Sequence, residues 1–503
     1  MLGHPTSATL TDDIPISGEE LSNNQCPLTI IVDLDGTLTP TDTMVESVIK
    51  IVKRSPLSLL RLPFWLLKGR VAFKAAVATH SDIAVQHLPY REPLLAYLRR
   101  EKEAGRRIIL ATAAHKSIAH SVSTYLGLFD EVVATDEGHN LKGKAKLAAI
   151  QERVGEEFVY AGDSQVDIPI WKAAQGAILV GVSQRVAQSV RRDIPIEREF
   201  PREEISLTVW LRALRIHQWL KNLLLFVPLL TAFSFMDVGK LTTMGVAFLA
   251  FSFAASATYI VNDLWDLEND RAHPRKRLRP FASAVIPIWQ GLVVAGAALA
   301  LGLFLASIVS LDFFLMLLLY LVLTTAYSLV LKEHVLVDVL MLSLLYTLRI
   351  FAGSVAVGIT ASSWLLAFSV FLFLSLALVK RCSELVSLEQ MKRETTQGRD
   401  YRVTDLVVLW PLGVGAALSA VVVFGLFISA PETQVRYATP HLLWLVAIGL
   451  IYWLARLWVK TSRGEMHDDP VIYALKDRGS RLTVLAMIAT MLIAHFLTLR
   501  AFL

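Results

Sequence analysis

The chain has 503 residues, 54% of them hydrophobic and 18% charged, with a formal net charge of +5. That length exceeds one ordinary domain, and that composition excludes a wholly water-soluble protein. Two cysteines, Cys26 and Cys382, exclude a disulfide framework, and so small a net charge gives no footprint for a nucleic-acid partner. Residues 1–26 carry acids and polar residues without a basic stretch leading into an apolar one, and read as a disordered tail, not a cleaved signal. Residues 27–183 alternate helical stretches with apolar runs at Leu28–Val32, Arg107–Ala111, Glu131–Ala134, Phe158–Ala161 and Ala177–Val180. This pattern predicts a parallel sheet flanked by helices. Residues 184–205, charged and holding two prolines, read as a linker. From 206 to 503 the apolar stretches reach the length of a bilayer crossing. Nine spans are expected, at roughly 218–235, 241–262, 287–310, 311–331, 335–359, 362–380, 405–429, 438–460 and 481–502.

The loops between these spans are unequal in charge. Alternate connections carry Arg271, Arg275, Lys276, Arg277 and Arg279, then Lys332, then Lys380 to Arg402, then Lys460 to Arg478; the others carry only Lys240 and Arg436. The positive-inside bias then places the long polar loops and the N-terminal domain in the cytoplasm.

In the soluble part, Asp33 and Asp35 close an apolar strand ahead of Gly36. Alternation on a strand points both carboxylates the same way, at the strand end where open α/β sheets bind ligands. One carboxylate there can attack phosphorus while the other moves the proton. Thr112 ends a second apolar strand, Lys142, Lys144 and Lys146 open a later helix, and Asp163 and Asp167 follow a fourth strand. The two last acids could hold Mg²⁺ beside the first pair. In this order the pieces resemble the haloacid dehalogenase-like phosphatases. The resemblance implies a Rossmann-like α/β domain with Asp33 as nucleophile and Asp35 as general acid/base. It further implies phosphate binding by Thr112 and a lysine, and Mg²⁺ held by Asp33, Asp35 and Asp163 with Asp167. Spacing admits Lys142 or Lys146, with Lys146 preferred. Thr41 to Glu103 leaves room for a small helical cap. Within it, Lys53 to Arg70 interleaves basic residues with Leu, Phe and Trp, which suits either a segment lying on anionic lipid or the cap's own core.

The membrane part carries Asn262-Asp263-Leu264-Trp265-Asp266, then Asp270, closed by Lys276 to Pro280. At 100° per residue the three aspartates share one face of a continuous helix, and acids so placed call for Mg²⁺ bridging a diphosphate. The stretch resembles the first aspartate motif of the UbiA-type intramembrane prenyltransferases, a family of all-α polytopic proteins. At the mirrored position, after the fourth span, stand Tyr327 to Lys332 and then Asp338, not the paired aspartates of the aromatic-substrate members. With His217 to Asn222, Ala272-His273-Pro274 and Leu348 to Gly353, this resembles the decaprenyl-phosphate phosphoribosyltransferase subgroup. That resemblance implies transfer of phosphoribosyl from phosphoribosyl diphosphate to polyprenyl phosphate in a bacterial plasma membrane, with Lys221, Asn262, Tyr327, Lys332 and Arg349 binding substrate. The fused phosphatase would then remove the 5-phosphate. Two other readings stand beside it: prenylation of an aromatic acceptor, and a lipid-binding or transport protein with a regulatory phosphatase-like module. The cluster Glu465 to Pro470 reads as a solvated turn or as a cover for the site. Lipid chain length and oligomeric state lie beyond these patterns.

Overall fold

The structure is a computed structural model that describes residues 28–81, 83–136, 141–391, 399–466 and 470–498. The expected tail at 1–26, and Lys392, Arg393 and His467 to Asp469, lie outside the described residues. The chain divides into two compact units, Met1–Glu203 and Glu204–Leu503.

The first unit is built on a parallel six-stranded sheet of order β3-β2-β1-β4-β5-β6. Its strands are β1 (Thr29–Val32), β2 (Ile108–His115), β3 (Glu131–Thr135), β4 (Phe158–Gly162), β5 (Gly176–Val180) and β6 (Ile196–Phe200). Its helices are α1 (Thr43–Arg54), α2 (Leu62–Leu67), α3 (Arg70–His80), α4 (Glu92–Glu103), α5 (Lys116–Leu126), α6 (Lys144–Val154), α7 (Ile168–Trp171) and α8 (Gln184–Asp193). Successive strand residues serve opposite faces. Ile30 and Val32 pack with Leu94, Leu98, Ile118 and Val122 on one side. Ile31 packs with Phe158, Tyr160 and Trp171 on the other. All five expected strands form. The stretch read as a linker does not stay one: α8 buries Ala187 and Val190, and β6 pairs in parallel with β5. Its prolines and charges hid a strand whose central residues face out at the sheet edge. The cap is also smaller than the space allotted to it, because α4 belongs to the sheet's flank and only α1 to α3 stand apart.

The second unit is helical. After α9 (Leu207–Ala213) and α10 (Val227–Thr231) come α11 (Val238–Trp265), α12 (Leu267–Ala272), α13 (Ile288–Val309), α14 (Leu311–Leu329), α15 (Val337–Val357), α16 (Ser363–Gln390) and α17 (Leu406–Ser429). Then follow α18 (Pro431–Arg436), α19 (Leu443–Ser462), α20 (Pro470–Lys476) and α21 (Arg478–Phe496). Among the described residues, eight helices are long and apolar enough to cross a membrane, not nine. The missing one is 218–235, which runs as a 3₁₀ stretch, Ile216–Phe226, before the short α10. It nevertheless follows α11 in the opposite direction. Arg215 reaches Asp263, Trp219 donates to Ser256 at 2.9 Å, and Asn222 donates to Ser252 at 3.1 Å. Phe226 then meets Phe248, with ring centroids 6.0 Å apart. Pro228 removes one backbone donor from the first turn of α10, and Trp219 and Asn222 are held by side-chain partners on α11 instead of within an unbroken α-helix.

Small residues permit close helix packing in this unit. Ala250 and Ala254 of α11 face Gly302 of α13, where an added Cβ would lie 2.9 Å from the Ala250 carbonyl oxygen. Gly353 is tighter still: a Cβ there would stand 2.0 Å from the Leu225 carbonyl oxygen. Gly353→Ala is therefore expected to push the 3₁₀ stretch off α15 and cost about 1–3 kcal/mol of overpacking. Gly296, with nothing within 4 Å of the added atom, is the control. Thermal unfolding in detergent should show a lower midpoint for Gly353→Ala only.

Candidate active sites

In the first unit, β1 and β4 are neighbours at the point where the strand order turns back, which opens a crevice at their carboxyl ends. Asp33 follows β1 directly, its N–H bonded to the Ala161 carbonyl of β4 at 3.1 Å. Its Oδ1 accepts from the Leu34 N–H at 2.8 Å and its Oδ2 pairs with Lys146 Nζ at 2.7 Å. Lys146 is buried and Lys142 exposed, although both line the same crevice, so the geometry separates two lysines that spacing could not. Asp35 accepts from the Thr43 N–H at 2.8 Å at the start of α1. Gly36 makes the turn with φ +81°, and a Cβ there would stand 2.2 Å from Asp163 Oδ2. Asp163 also accepts from Thr37 Oγ1 at 3.4 Å.

The crevice measures about 410 Å³ and is walled by Asp33, Asp35, Asp163 and Lys146, with Met44, Ser47, Lys74 and Val77 from the cap. Thr112 is buried beside it but is not part of its wall, where Ala113 and Ala114 stand, and its Oγ1 accepts from the Ala114 N–H at 3.0 Å. Oxygens of Asp33, Asp163 and Asp167 lie within 4.8 Å of one another, and hard carboxylate donors at that spacing fit a small divalent cation. Asp167 is the least available of the three. Its Oδ1 accepts from Tyr160 and its Oδ2 from both Ser164 donors, at 3.0–3.1 Å. Burial raises the acids here. Asp35 is pushed up to about 7 by burial and by Asp42, and Asp163 to about 7 by burial and the neighbouring Asp167 and Asp33. Asp33 is raised by burial against the pull of Lys146.

In the second unit the aspartates do not share one continuous helix. Helix α11 ends at Trp265, Asp266 sits in the break, and α12 restarts at Leu267. Asp263 pairs with Arg215 and, at 3.2 Å, with Arg279. Asp270 meets the same Arg279 nitrogen at 2.5 Å. Asp266 faces Lys332 at 3.5 Å instead, and Asn262 is half-buried beside Asp263. Among the described residues, the three carboxylates do not close on one point as the first unit's acids do. Their donor chemistry still suits Mg²⁺, with Arg279 bridging Asp263 and Asp270 and Arg215 paired with Asp263.

Tyr327 donates to Asp338 at 2.7 Å, and Asp338 is bound by Arg381 through Nε and, at 3.1 Å, Nη2. Arg349 stands elsewhere. It donates to Asn222 at 3.0 Å, the Leu345 carbonyl at 2.7 Å and Tyr320 at 2.8 Å. Asn222 in turn holds Ser252, eleven residues before Asp263 on α11, or about 16 Å along the helix. Lys221 shares this deeper level, 5.7 Å over the Tyr346 ring. Lys332 thus groups with the three acids, Tyr327 belongs to a separate cluster with Asp338 and Arg381, and Lys221 and Arg349 stand apart from both. Sequence reasoning passed over Lys74, Arg215 and Arg381 as partners. Only Arg215 left a signal, as the cation opening the polar run 215–222.

Residues 223–476 match the UbiA prenyltransferase family and residues 30–172 match haloacid dehalogenase-like hydrolase. The uncharacterized protein y4nM of Sinorhizobium fredii is 41% identical over 90% of this chain and 88% of its own length, so it shares the fusion. Nodulation protein NoeC of Azorhizobium caulinodans is 34% identical over 56% of this chain and 92% of its own length. Decaprenyl-phosphate phosphoribosyltransferase of Mycobacterium tuberculosis is 32% identical over 56% and 91%. A solved UbiA homolog from Archaeoglobus fulgidus, bound to GPP and Mg²⁺, matches at 18% identity and TM-score 0.42, over 56% of this chain and 99% of that one. The chain belongs to the UbiA prenyltransferase family, with a haloacid dehalogenase-like hydrolase domain fused at its N-terminus.

Proposed function

We propose that the membrane unit transfers phosphoribosyl from phosphoribosyl diphosphate to a polyprenyl phosphate, and that the soluble unit then removes the 5-phosphate. The observation that carries the reading is the mixed-charge cluster Asp263, Asp266, Asp270, Arg215, Arg279 and Lys332, joined to the 32% identity with a relative named for that transfer. An oxygen of the lipid phosphate attacks the anomeric carbon, the bond to the diphosphate breaks, and diphosphate leaves. Asp263, Asp266 and Asp270 would hold Mg²⁺, which neutralises charge on the leaving group. Arg215, Arg279 and Lys332 bind the remaining phosphate oxygens. The cationic loops support a cytoplasmic position for this site and for the soluble unit.

In the soluble unit, Asp33 attacks phosphorus, the phosphorus–ester oxygen bond breaks, and Asp35 protonates the departing ribose hydroxyl. Water then attacks the aspartyl phosphate, Asp35 takes its proton, and inorganic phosphate leaves. Lys146 holds Asp33 in place, and Thr112, buried within β2, supports the crevice wall through its bond to the Ala114 N–H. Asp33 and Asp163 are the available ligands for Mg²⁺. Attack requires Asp35 protonated. Because its carboxyl titrates near 7, kcat/KM for a phosphomonoester should fall about tenfold per pH unit above that point, a limb absent from the residual activity of Asp35→Asn. A flat profile to pH 9 would remove Asp35 from the acid's role.

The transfer is tested with purified full-length protein, Mg²⁺, polyprenyl phosphate and ribose-labelled phosphoribosyl diphosphate. Label should appear in lipid-linked ribose. No label in lipid overturns the reading, and a prenyl chain found on an aromatic acceptor would replace it.

A further inference from the structure

The cap leaves an unusual surface uncovered. Between its helices α1 and α3 the chain makes a short 3₁₀ turn, Pro56–Leu60, and then α2, in which no side chain is buried. Leu67 is 84% exposed, Leu57 74% and Phe64 67%, with Leu60 and Leu66 exposed beside them. These residues therefore do not form the cap's core. Trp65 is turned back against His80 of α3, the two rings tilted with centroids 5.0 Å apart, and so holds α2 on the cap while its apolar residues project outward.

Charge decides what can cover this surface. From Ser47 to Ser81 the chain has seven lysines and arginines and not one aspartate or glutamate. An apolar tip whose own segment carries cations and no acid matches an anionic lipid surface, where leucine and phenylalanine enter the acyl boundary and basic side chains meet headgroup phosphates. Among its described residues the same chain carries eight helices fit to cross a membrane, so a bilayer is always attached to it. The tip is also joined to the crevice: α1 and α3, the two helices leading from it, supply Met44, Ser47, Lys74 and Val77 to the wall around Asp33. Lys74 Nζ, from α3, donates to the Ala113 carbonyl at the end of β2 at 2.7 Å.

We propose that residues 56–68 are a membrane-docking foot that sets the cap-walled crevice at an anionic bilayer surface, so that its phosphate comes from a lipid headgroup and not from a dissolved ester. The proposal rests on the phosphatase reading for the substrate, and on the cap's surface for the docking.

The experiment uses the full chain in nanodiscs of phosphatidylcholine with or without phosphatidylglycerol. An environment-sensitive NBD label is placed on Leu67→Cys in a Cys26→Ser background, Cys382 being buried. Nitroxide carried on lipid should quench it several-fold more in the anionic discs. A label that stays unquenched, or is shielded from iodide without lipid quenching as under a protein partner or second copy, overturns the docking. A second arm compares substrates. Replacing Leu60, Phe64 and Leu67 together with serine should raise KM for phosphoribosyl lipid in anionic discs about tenfold, and leave p-nitrophenyl phosphate turnover unchanged. Equal loss on both substrates would assign these residues to the fold of the cap and overturn the proposal. If the unaltered protein hydrolyses neither substrate, the phosphatase reading fails, while the quenching still reads the docking.

Discussion

Asp33→Asn is expected to lower phosphomonoester hydrolysis by on the order of 10⁴-fold or more, while transfer of label into lipid continues. The lipid product should then retain its 5-phosphate and accumulate as phosphoribosyl lipid, seen as a slower, more acidic band on chromatography. The size of the effect follows from the geometry. Asp33 alone stands at the end of β1 with an oxygen toward both Lys146 and the acids after β4, and an amide there cannot form the acyl phosphate. The fold should tolerate the change. It leaves the buried Lys146 without its partner, but it also relieves repulsion among carboxylates that burial already holds above their ordinary range. Unchanged hydrolysis would exclude Asp33 as nucleophile. Loss of both activities together would mean that the hydrolysis does not follow the transfer as a separate step.

What could be read without coordinates, and what could not, divides along physical lines. Although β2 runs on past Thr112 to His115, the ends of β1 and β4 were legible because both are short apolar runs stopped by acid or glycine, and burial on both faces leaves no other pattern. The edge strand β6 was not, since Glu197, Arg198 and Glu199 face solvent and resemble a linker. Lys146 was separable from Lys142 only by burial, which depends on how α6 rolls against the sheet. The aspartates 263, 266 and 270 were legible as a group, but their helix break was not. Periodicity supposes a continuous helix, whereas Asp263 and Asp270 are drawn to one arginine and Asp266 to a lysine on another segment. Apolar length likewise suggested a ninth spanning helix at 218–235, where Asn222 trades regular helix for bonds to Ser252 and Arg349.

Asp266→Asn and Asp263→Asn are expected to lower phosphoribosyl transfer by on the order of 10²–10³-fold each, with opposite consequences for stability. Asp266 is only partly buried and its lysine is 3.5 Å away, a pair of the weak kind whose loss costs less than about 1 kcal/mol. Its variant should unfold at the unaltered midpoint and still be inactive in transfer. Asp263 is buried between two guanidinium groups, Arg215 and Arg279. Removing its charge leaves Arg279 with Asp270 and takes from Arg215 the carboxylate it pairs with, at a cost on the order of 1–3 kcal/mol. That is below the cost of breaking a fully buried pair, because both arginines keep part of their surface exposed. The Asp263 variant should therefore melt lower as well as lose transfer, whereas p-nitrophenyl phosphate hydrolysis by the soluble unit should persist in both. A fully active Asp266→Asn would remove Asp266 from the diphosphate site. It would leave the Asp263–Arg279–Asp270 bridge as a structural clamp, and the transfer chemistry would have to be sought around Tyr327, Asp338 and Arg381, where the second polar cluster of the bundle lies.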